Sequence, residues 1–448
     1  MLTSACVSVD AQEQLPKGLQ EAEDSSTVFL PITKTPTTTP TLTLQSEFGV
    51  ENTHRVITDG IFAIWWHPDY DQFDEYDLTK EAVELAAALN DVRTDSLKEL
   101  GLKDPPNLAA GAYVNVYIHD PDLSSTDNFP NWWGNGVGTN SFDVPYMTLP
   151  IGAHVDQINV AHEGFHIFQY SATNDGYEYA GDSAWFIEAS ANWYAVHKFH
   201  DTSDAAFVEA AIIKNLPFVT MWRSWDNAAP GDPQNWQREV HQYAMHTWLF
   251  YLTEIRGVDT DIMTAGYYAD TGEMPQEYMY RRIPNMRQLY GDWAAANVSE
   301  FSYLTRAQWT RAQEEVEWVA DPTDLFPTIA TLGQEGTDGA WITPPADQAP
   351  RGWSYNVIEV NVTDGPYTIE FQGNPVGSEG TNAFFESRVV FEGTDGFRQE
   401  IFDLENGLTG ELTLEAFRSD SKMFVVIAAV PEYFGGVQTY GYQINITR

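Results

Sequence analysis

The sequence contains a single cysteine, Cys6, and only eight lysines among its 448 residues. With one cysteine the chain forms no internal disulfide, and a metal site built from several cysteines is excluded. Acidic residues outnumber basic ones by 65 to 23, which gives a net charge of −42. Because that charge repels phosphate backbones and anionic membrane surfaces, we do not expect nucleic acid as a partner.

Long apolar runs and nucleophile motifs are missing as well. No stretch of the sequence approaches the roughly 18 continuous apolar residues of a membrane helix, so we expect no membrane-spanning segment. The absence of a G-x-S-x-G pattern disfavours a serine hydrolase, and the position of Cys6 disfavours a cysteine enzyme. The glycines of GNGVG, 134–138, precede no helix with Lys-Ser/Thr, so they do not form a nucleotide-binding loop.

The length of the chain exceeds what one hydrophobic core usually supports. Changes in composition along the sequence predict four segments. We expect a disordered tail with a Thr/Pro-rich linker at 1–45, a catalytic domain at 46–320, a linker at 321–352 and a β-sandwich at 353–448.

The context of Cys6 suggests a surface location. MLTSAC ends like the cleavage site of a bacterial lipoprotein signal, but no basic or apolar region of proper length precedes it. Two interpretations stay open: the true start lies upstream of Met1 and Cys6 carries lipid, or the match is accidental. The Thr/Pro-rich stretch 26–44 is typical of a stiff tether. We therefore expect a monomer that is extracellular or attached to the cell surface.

The first half of the ordered chain predicts an α+β domain. Strand patterns occur at 55–66 and 112–120, and a long helical pattern occupies 79–100. Residues 146–149 are a candidate edge strand for aligning an extended peptide by main-chain hydrogen bonds, with an ordinary glycine-rich connection as the alternative.

The most informative stretch is NVAHEGFHIFQY, 159–170, in which His162, Glu163 and His166 form an H-E-x-x-H pattern. Side chains four apart lie on the same face of a helix, so the two imidazoles can bind one metal ion. Glu163, one residue further round, can reach a water on that metal and accept its proton. Gly164 is the weak position of this predicted helix, because glycine costs about 1 kcal/mol in a helix interior.

A zinc site of this type needs a third protein ligand. Glu188 follows His166 by 22 positions and lies in a second apolar segment compatible with a helix, 182–199. We expect a helix, a connection and a second helix whose glutamate faces the first.

HEGFH followed by WFIEASANW resembles the gluzincin superfamily of zinc metallopeptidases, the thermolysin-like clan. The segment WFIEASANW also resembles a group of secreted bacterial zincins of unsettled function. The resemblance covers roughly residues 110–250 and implies zinc ligands at His162, His166 and Glu188, with Glu163 as general base. In many members, the residue four positions after the ligand glutamate is an aspartate, and this aspartate hydrogen-bonds a ligand histidine. This chain has Asn192 there, which can accept an imidazole N–H but adds no negative charge.

A helical half should follow Glu188, with patterns at 204–215, 237–255, 285–297 and 303–318. In zincins such a half forms the far wall of the cleft and supplies a donor that stabilises the oxyanion of the transition state. The segment 238–252 offers four candidates, Arg238, His241, Tyr243 and His246. We favour Tyr243, with His241 second.

Beyond residue 352 the apolar residues alternate in short runs separated by turn residues, which predicts an antiparallel β-sandwich. It resembles the C-terminal sandwich modules of secreted peptidases. Structural support and binding to a substrate or cell wall are both open roles for it.

The sequence therefore predicts a zincin-like α+β domain followed by a sandwich, and a secreted or surface-attached zinc metallopeptidase that acts on peptides or proteins. Two alternatives remain open. One is a non-catalytic adhesin on a zincin scaffold, and the other is a carbohydrate-active enzyme, suggested by 15 Trp, 22 Tyr and many carboxylates. The acidic surface also leaves calcium binding open, although no EF-hand loop is present.

Overall fold

The computed structural model describes residues 42–46, 48–73, 75–105, 108, 111–120, 136–139, 144–203, 207, 209–224, 227, 241–299, 301–319, 330–332 and 338–448. Residues 42–448 form one compact unit. Cys6, most of the predicted tail and Arg238 lie outside the described residues, so the predictions made for them stay predictions.

The N-terminal half contains a mixed five-stranded sheet in the order β1-β2-β3-β5-β4. Its strands are β1 (Arg55–Asp59), β2 (Phe62–Trp66), β3 (Val114–His119), β4 (Gly136–Thr139) and β5 (Pro145–Pro150). The inner strands β2, β3 and β5 run parallel, whereas β1 and β4 are antiparallel to their neighbours. Every residue of β2 and β3 is buried, which explains their nearly continuous apolar sequences.

The position of the edge strand corrects one prediction. The candidate edge segment, 146–149, lies in β5, which is hydrogen-bonded on both sides by β3 and β4. Among the described strands, β4 lies at this end of the sheet, and its residues Gly136 and Gly138 belong to the glycine-rich stretch 134–138. Because β5 is hydrogen-bonded on both sides, a peptide that extends the sheet at this end must pair with β4, the outermost of its described strands.

Two helices cover this sheet, α1 (Leu78–Lys98) and α2 (Gln157–Gln169). Asp156 caps α2 by accepting hydrogen bonds from the backbone N–H groups of Ile158 and Asn159. A Cβ atom at Gly164 would lie 2.9 Å from the Cδ2 atom of Leu89 in α1. The glycine that weakens α2 in isolation therefore allows α1 and α2 to pack closely.

The second half of this region is helical, as the sequence predicts. Its helices are α3 (Ala184–Phe199), α4 (Ala210–Asn215), α5 (His241–Ala244), α6 (His246–Phe250), α7 (Thr260–Ala265), α8 (Pro275–Arg282), α9 (Met286–Val298) and α10 (Arg306–Val319). One π-helical turn, Tyr251–Ile255, continues α6.

The C-terminal part contains two sheets packed face to face. Its strands are β6 (Ala330–Leu332), β7 (Asp338–Ile342), β8 (Ser354–Asn361), β9 (Gly365–Gly373), β10 (Phe385–Gly393), β11 (Gly396–Phe402), β12 (Thr409–Ala416), β13 (Asp420–Ala429) and β14 (Tyr442–Thr447). The sheet orders are β11-β10-β13-β8-β6 and β12-β9-β14-β7. Both sheets are antiparallel except that β6 runs parallel to β8. The predicted linker 321–352 thus contributes β6 and β7 to the sandwich.

Strand β13 is buried on both faces. One face lies in the core between the two sheets, with Val425 and Ile427, and the other packs with Val426 against the core of the helical part. The uninterrupted apolar run of β13 follows from this double burial. An ion pair also joins the sandwich to the helical part: the side chain of Arg388 on β10 lies 2.7 Å from the carboxylate of Asp292 on α9.

The fold class is α+β, with a mixed sheet, a helical region and two mainly antiparallel sheets at the C-terminal end. Within the described residues, no helix has both the length and the apolar character needed to cross a membrane.

Candidate metal centre

Three predicted metal ligands come together where α2 packs against α3. The Nε2 atoms of His162 and His166 lie 3.0 Å apart. The Oε2 atom of Glu188 lies 3.2 Å from the first and 3.3 Å from the second. These three side chains are buried, and their ligand atoms lie within 4.8 Å of one another, so the cluster could hold a metal ion.

Helix geometry explains the convergence. His162 and His166 are one turn apart on α2, and the buried face of α3 presents Glu188 to them. Glu163 follows His162 directly, is 6% exposed, and interacts electrostatically with all three ligands. Burial raises the pKa of Glu163, although the two histidines act in the opposite direction.

The charge states of the three candidate ligands depend on one another. Burial opposes ionisation of Glu188, but the neighbouring His166 and His162 outweigh that effect and hold the pKa of Glu188 well below its usual range. Burial likewise disfavours a charged His166, yet Glu188 raises the pKa of His166 to about 9. A buried carboxylate beside two imidazoles therefore needs positive charge, either a proton or a metal ion, at this point.

Gln169, which the sequence analysis missed, orients His166. Its Oε1 atom lies 2.5 Å from the Nδ1 atom of His166. The Nε2 atom of Gln169 donates to the backbone oxygen of Ile187, to the hydroxyl of Ser190 and to the hydroxyl of Tyr267. Because the amide N–H groups are used in this way, Oε1 must accept the Nδ1–H of His166, which leaves Nε2 as the atom for a metal. The sequence contained a sign of this role, because Gln169 lies three positions after His166 and therefore on the same face of α2.

The structure corrects the role predicted for Asn192. Its Nδ2 atom donates to the backbone oxygen of Tyr243 at 3.3 Å, and its side chain also hydrogen-bonds Glu209. The Nδ1 atom of His162 is buried and has no hydrogen-bond partner among the described residues. Asn192 therefore does not accept an N–H from either candidate ligand histidine, since Gln169 takes that role for His166.

The two predicted oxyanion-stabilising residues differ in position. The ring of Tyr243 lies beside the cluster, 6.1 Å from the ring of His162, and is partly exposed. His241 is fully enclosed, and burial, with a smaller effect from Arg223, lowers its pKa to about 3. His241 is therefore neutral at pH 7 and supplies no positive charge to a transition state.

Two further side chains near the cluster escaped the sequence analysis. Tyr170 lies one turn after His166, interacts electrostatically with Glu188, and donates its hydroxyl hydrogen to the backbone oxygen of Val137 in the edge strand β4. Glu209 lies beside Asn192 and interacts with His162, and burial raises its pKa. Tyr170 was detectable by its helical spacing from His166, whereas no local pattern marks Glu209.

Three solved structures show weak likenesses to this chain. A surface-associated copper-binding protein, CorA of Methylomicrobium album BG8, is 11% identical, with a TM-score of 0.17 over 26% of this chain and 98% of its own. A protein from Sulfurospirillum deleyianum is 12% identical, with a TM-score of 0.15 over 24% of this chain and 98% of its own. A family GH115 4-O-methyl-α-glucuronidase with specificity for decorated arabinogalactans is 10% identical, with a TM-score of 0.15 over 75% of this chain and 56% of its own. At these scores none of the three bears on the fold or the function.

No curated protein matches the sequence. A family profile, by contrast, matches residues 24–433 and so includes both the metal-ligand cluster and most of the sandwich. The chain belongs to this family, which is described as a family of unknown function (DUF6055).

Proposed function

We propose that this protein is a zinc-dependent metallopeptidase whose zinc ligands are His162, His166 and Glu188. The convergence of those three side chains at 3.0–3.3 Å is the observation that carries the proposal. Two imidazoles and one carboxylate, with a fourth position left for solvent or substrate, are a ligand set of catalytic zinc.

The side chains fit such an ion. Ligands about 2.1 Å from one tetrahedral zinc lie roughly 3.4 Å apart, close to the separations found here. Gln169 fixes the Nδ1–H tautomer of His166, so a neutral Nε2 lone pair faces the Nε2 of His162 and the Oε2 of Glu188. Three electron-pair donors turned toward one point repel one another unless a cation lies between them.

In the proposed reaction, the residues around the zinc ligands have separate roles. When bound, zinc polarises the scissile carbonyl and lowers the pKa of water to about 7. Glu163, which is buried directly beside the ligand His162, would accept a proton from the attacking water and pass it to the leaving amine. Tyr243, whose ring lies 6.1 Å from the ring of His162, is the residue that we propose donates a hydrogen bond to the oxyanion. The strand β4 would align an extended substrate, because among the described strands it is the outermost one at the end of the sheet next to α2.

Metal analysis combined with two variants tests the proposal. We expect one equivalent of zinc in the purified protein, its loss in His162→Ala, and its retention in Glu163→Gln. A broad peptide pool should be hydrolysed by the wild type only, and 1,10-phenanthroline should stop that hydrolysis. Zinc without turnover under any condition would instead favour a binding protein, and turnover in Glu163→Gln would exclude the assigned base.

A further inference from the structure

The strand β11 presents large apolar side chains to solvent at the end of its sheet. Among the described strands it is the outermost of the order β11-β10-β13-β8-β6. Phe397 is 39% exposed and Ile401 is 58% exposed. Both lie on one face of the strand, the face on which Val390 of the neighbouring β10 packs into the core of the helical part. The helical part thus covers β10 but leaves these two side chains accessible.

Strand β11 lacks the features that usually protect the edge of a sheet. It pairs with β10 from Gly396 to Phe402 without a register shift. Its sequence, GFRQEIF, contains neither proline nor lysine, and every residue before Phe402 is exposed or half-buried. The outermost strand of a sheet carries a row of backbone N–H and C=O groups that can pair with another strand. This edge is therefore suited to accept a strand from a second molecule.

The sequence of β11 is complementary to itself. When two copies of a strand pair antiparallel about a twofold axis, residues at equal distances from the central residue lie opposite each other. With Gln399 at the centre, Phe397 lies opposite Ile401 of the second copy. In the same register, Arg398 lies opposite Glu400 of the second copy. Pairs of an aromatic with a β-branched residue and pairs of opposite charge both stabilise neighbouring strands.

The neighbouring registers are unfavourable. A centre at Arg398 places that residue opposite its own copy, and a centre at Glu400 does the same for Glu400. Like charges directly opposite each other destabilise a pair of strands. Both shifts also separate Phe397 from Ile401 of the second copy. The charges of β11 therefore favour the register centred on Gln399.

The charged side chains of β11 are placed for this pairing. The guanidinium carbon of Arg398 lies 3.6 Å from the centre of the Phe391 ring, and its Nη2 atom lies 2.8 Å from the carboxylate of Asp420. These contacts hold Arg398 in position. Its Nη1 atom lies 3.6 Å from Glu400 of the same strand, which is longer than a hydrogen bond. The side chain of Glu400 is 48% exposed, so it is accessible to an arginine of a second molecule.

The strand β12, which is the outermost described strand of the other sheet at one end, offers a comparison. Glu411, Thr413 and Glu415 are exposed on one face of it. Antiparallel pairing of two copies about Thr413 would place Glu411 opposite Glu415 of the second copy, and two like charges would oppose the pairing. Charge therefore protects β12 from pairing with itself, whereas it favours such pairing of β11.

We propose that β11 is a dimerisation strand, which pairs antiparallel with β11 of a second copy about a twofold axis at Gln399. The two sheets then form one continuous sheet. Because each copy contributes a single strand, the interface is small, and we expect association at micromolar concentrations. The proposal departs from the monomer predicted from the sequence, because the position of β11 at the end of a sheet is visible only in the structure. It is independent of the metallopeptidase, since β11 shares no residue with the metal-ligand cluster.

Sedimentation velocity of the full-length protein tests the proposal, at about 0.15 M salt and from about 1 to 200 µM protein. We expect a monomer at the lowest concentration and a dimer at the highest. Ile401→Lys should weaken the dimer about tenfold, since it removes two apolar cross-strand contacts and adds a lysine to the edge. Ile255→Lys is the matched control, because Ile255 is 45% exposed on the π-helical turn and should leave the dimer unchanged.

Cross-linking through introduced cysteines tests the register. Cys6→Ser removes the single cysteine of the chain. In that background, Gln399→Cys places one thiol of each copy at the proposed twofold axis, and mild oxidation should link the two copies. Thr413→Cys is the control, because Thr413 is exposed at the middle of β12 and should remain largely unlinked.

Several outcomes would overturn the proposal. They are a monomer at every concentration, a dimer that Ile401→Lys leaves intact while circular dichroism shows the variant to be folded, and equal cross-linking at positions 399 and 413. Association that continues beyond the dimer would also overturn it, because a twofold pair leaves β11 no further edge.

Discussion

The Nδ1 atom of His166 lies 2.5 Å from the Oε1 atom of Gln169, and this contact decides which nitrogen of His166 faces Glu188. The amide of Gln169 is held in turn by Ser190 and Tyr267. A change at Gln169 therefore alters the metal-ligand cluster without removing a ligand.

Replacing Gln169 by methionine should weaken zinc binding by about 10- to 100-fold, the usual effect of losing the hydrogen-bond partner of a ligand histidine. Competition with a chromophoric chelator measures the affinity. Gln276→Met is the matched control, because Gln276 is equally buried and hydrogen-bonded but contacts Trp185, Asp182 and Phe434 instead. Similar zinc affinities in the two variants would show that Gln169 does not orient His166.

Replacing Tyr243 by phenylalanine should lower kcat by about 100-fold and leave KM nearly unchanged, because the lost hydrogen bond forms only in the transition state. Tyr170→Phe offers the comparison, since Tyr170 contacts the edge strand β4 and should change KM more than kcat. Steady-state kinetics on one cleavable peptide distinguish the two. A loss of kcat in Tyr170→Phe alone would exchange the assigned roles.

Replacing His241 by asparagine should make the folded protein less sensitive to acid. Burial lowers the folded-state pKa of His241 from 6.5 to about 3, so the unfolded chain takes up a proton that the folded protein excludes. Its contribution to stability is therefore complete above pH 6.5 and declines as the pH falls toward about 3. Urea unfolding between pH 7.5 and pH 5 should show a steeper loss of stability for the wild type. Parallel pH profiles would mean that His241 does not titrate in this way.

Replacing Arg388 by methionine should destabilise the fold by about 3–5 kcal/mol, because it removes the buried cation between the carboxylates of Asp292 and Glu386 and leaves Asp292 only its longer contact with Arg256, at 3.5 Å. Chemical denaturation measures the effect. A variant that also carries Asp292→Asn should recover part of the loss, since the uncompensated charge is then removed. The contact between α9 and β10 matters little if Arg388→Met changes stability by less than about 1 kcal/mol.

Local patterns in the sequence were enough to predict much of the secondary structure. The spacing of apolar residues indicated α1, α2 and α3 and most of the sandwich strands, because an element that buries one face repeats its apolar residues at the period of that element. Strand β11 gives no such signal, because its side chains are mostly exposed and its apolar residues therefore do not alternate. The edge strand was also misplaced, since the order of strands in a sheet depends on contacts between distant segments.

The sequence by itself determined which side chains could share a metal ion. A helix places His162 and His166 on one face, and the chemistry of imidazole and carboxylate limits what they bind. Only the tertiary structure decided that Glu188 approaches both and that Gln169, not Asn192, hydrogen-bonds a ligand histidine. The reason is physical: residues within one helix have fixed relative positions, whereas residues on separate elements meet only through packing of the whole chain.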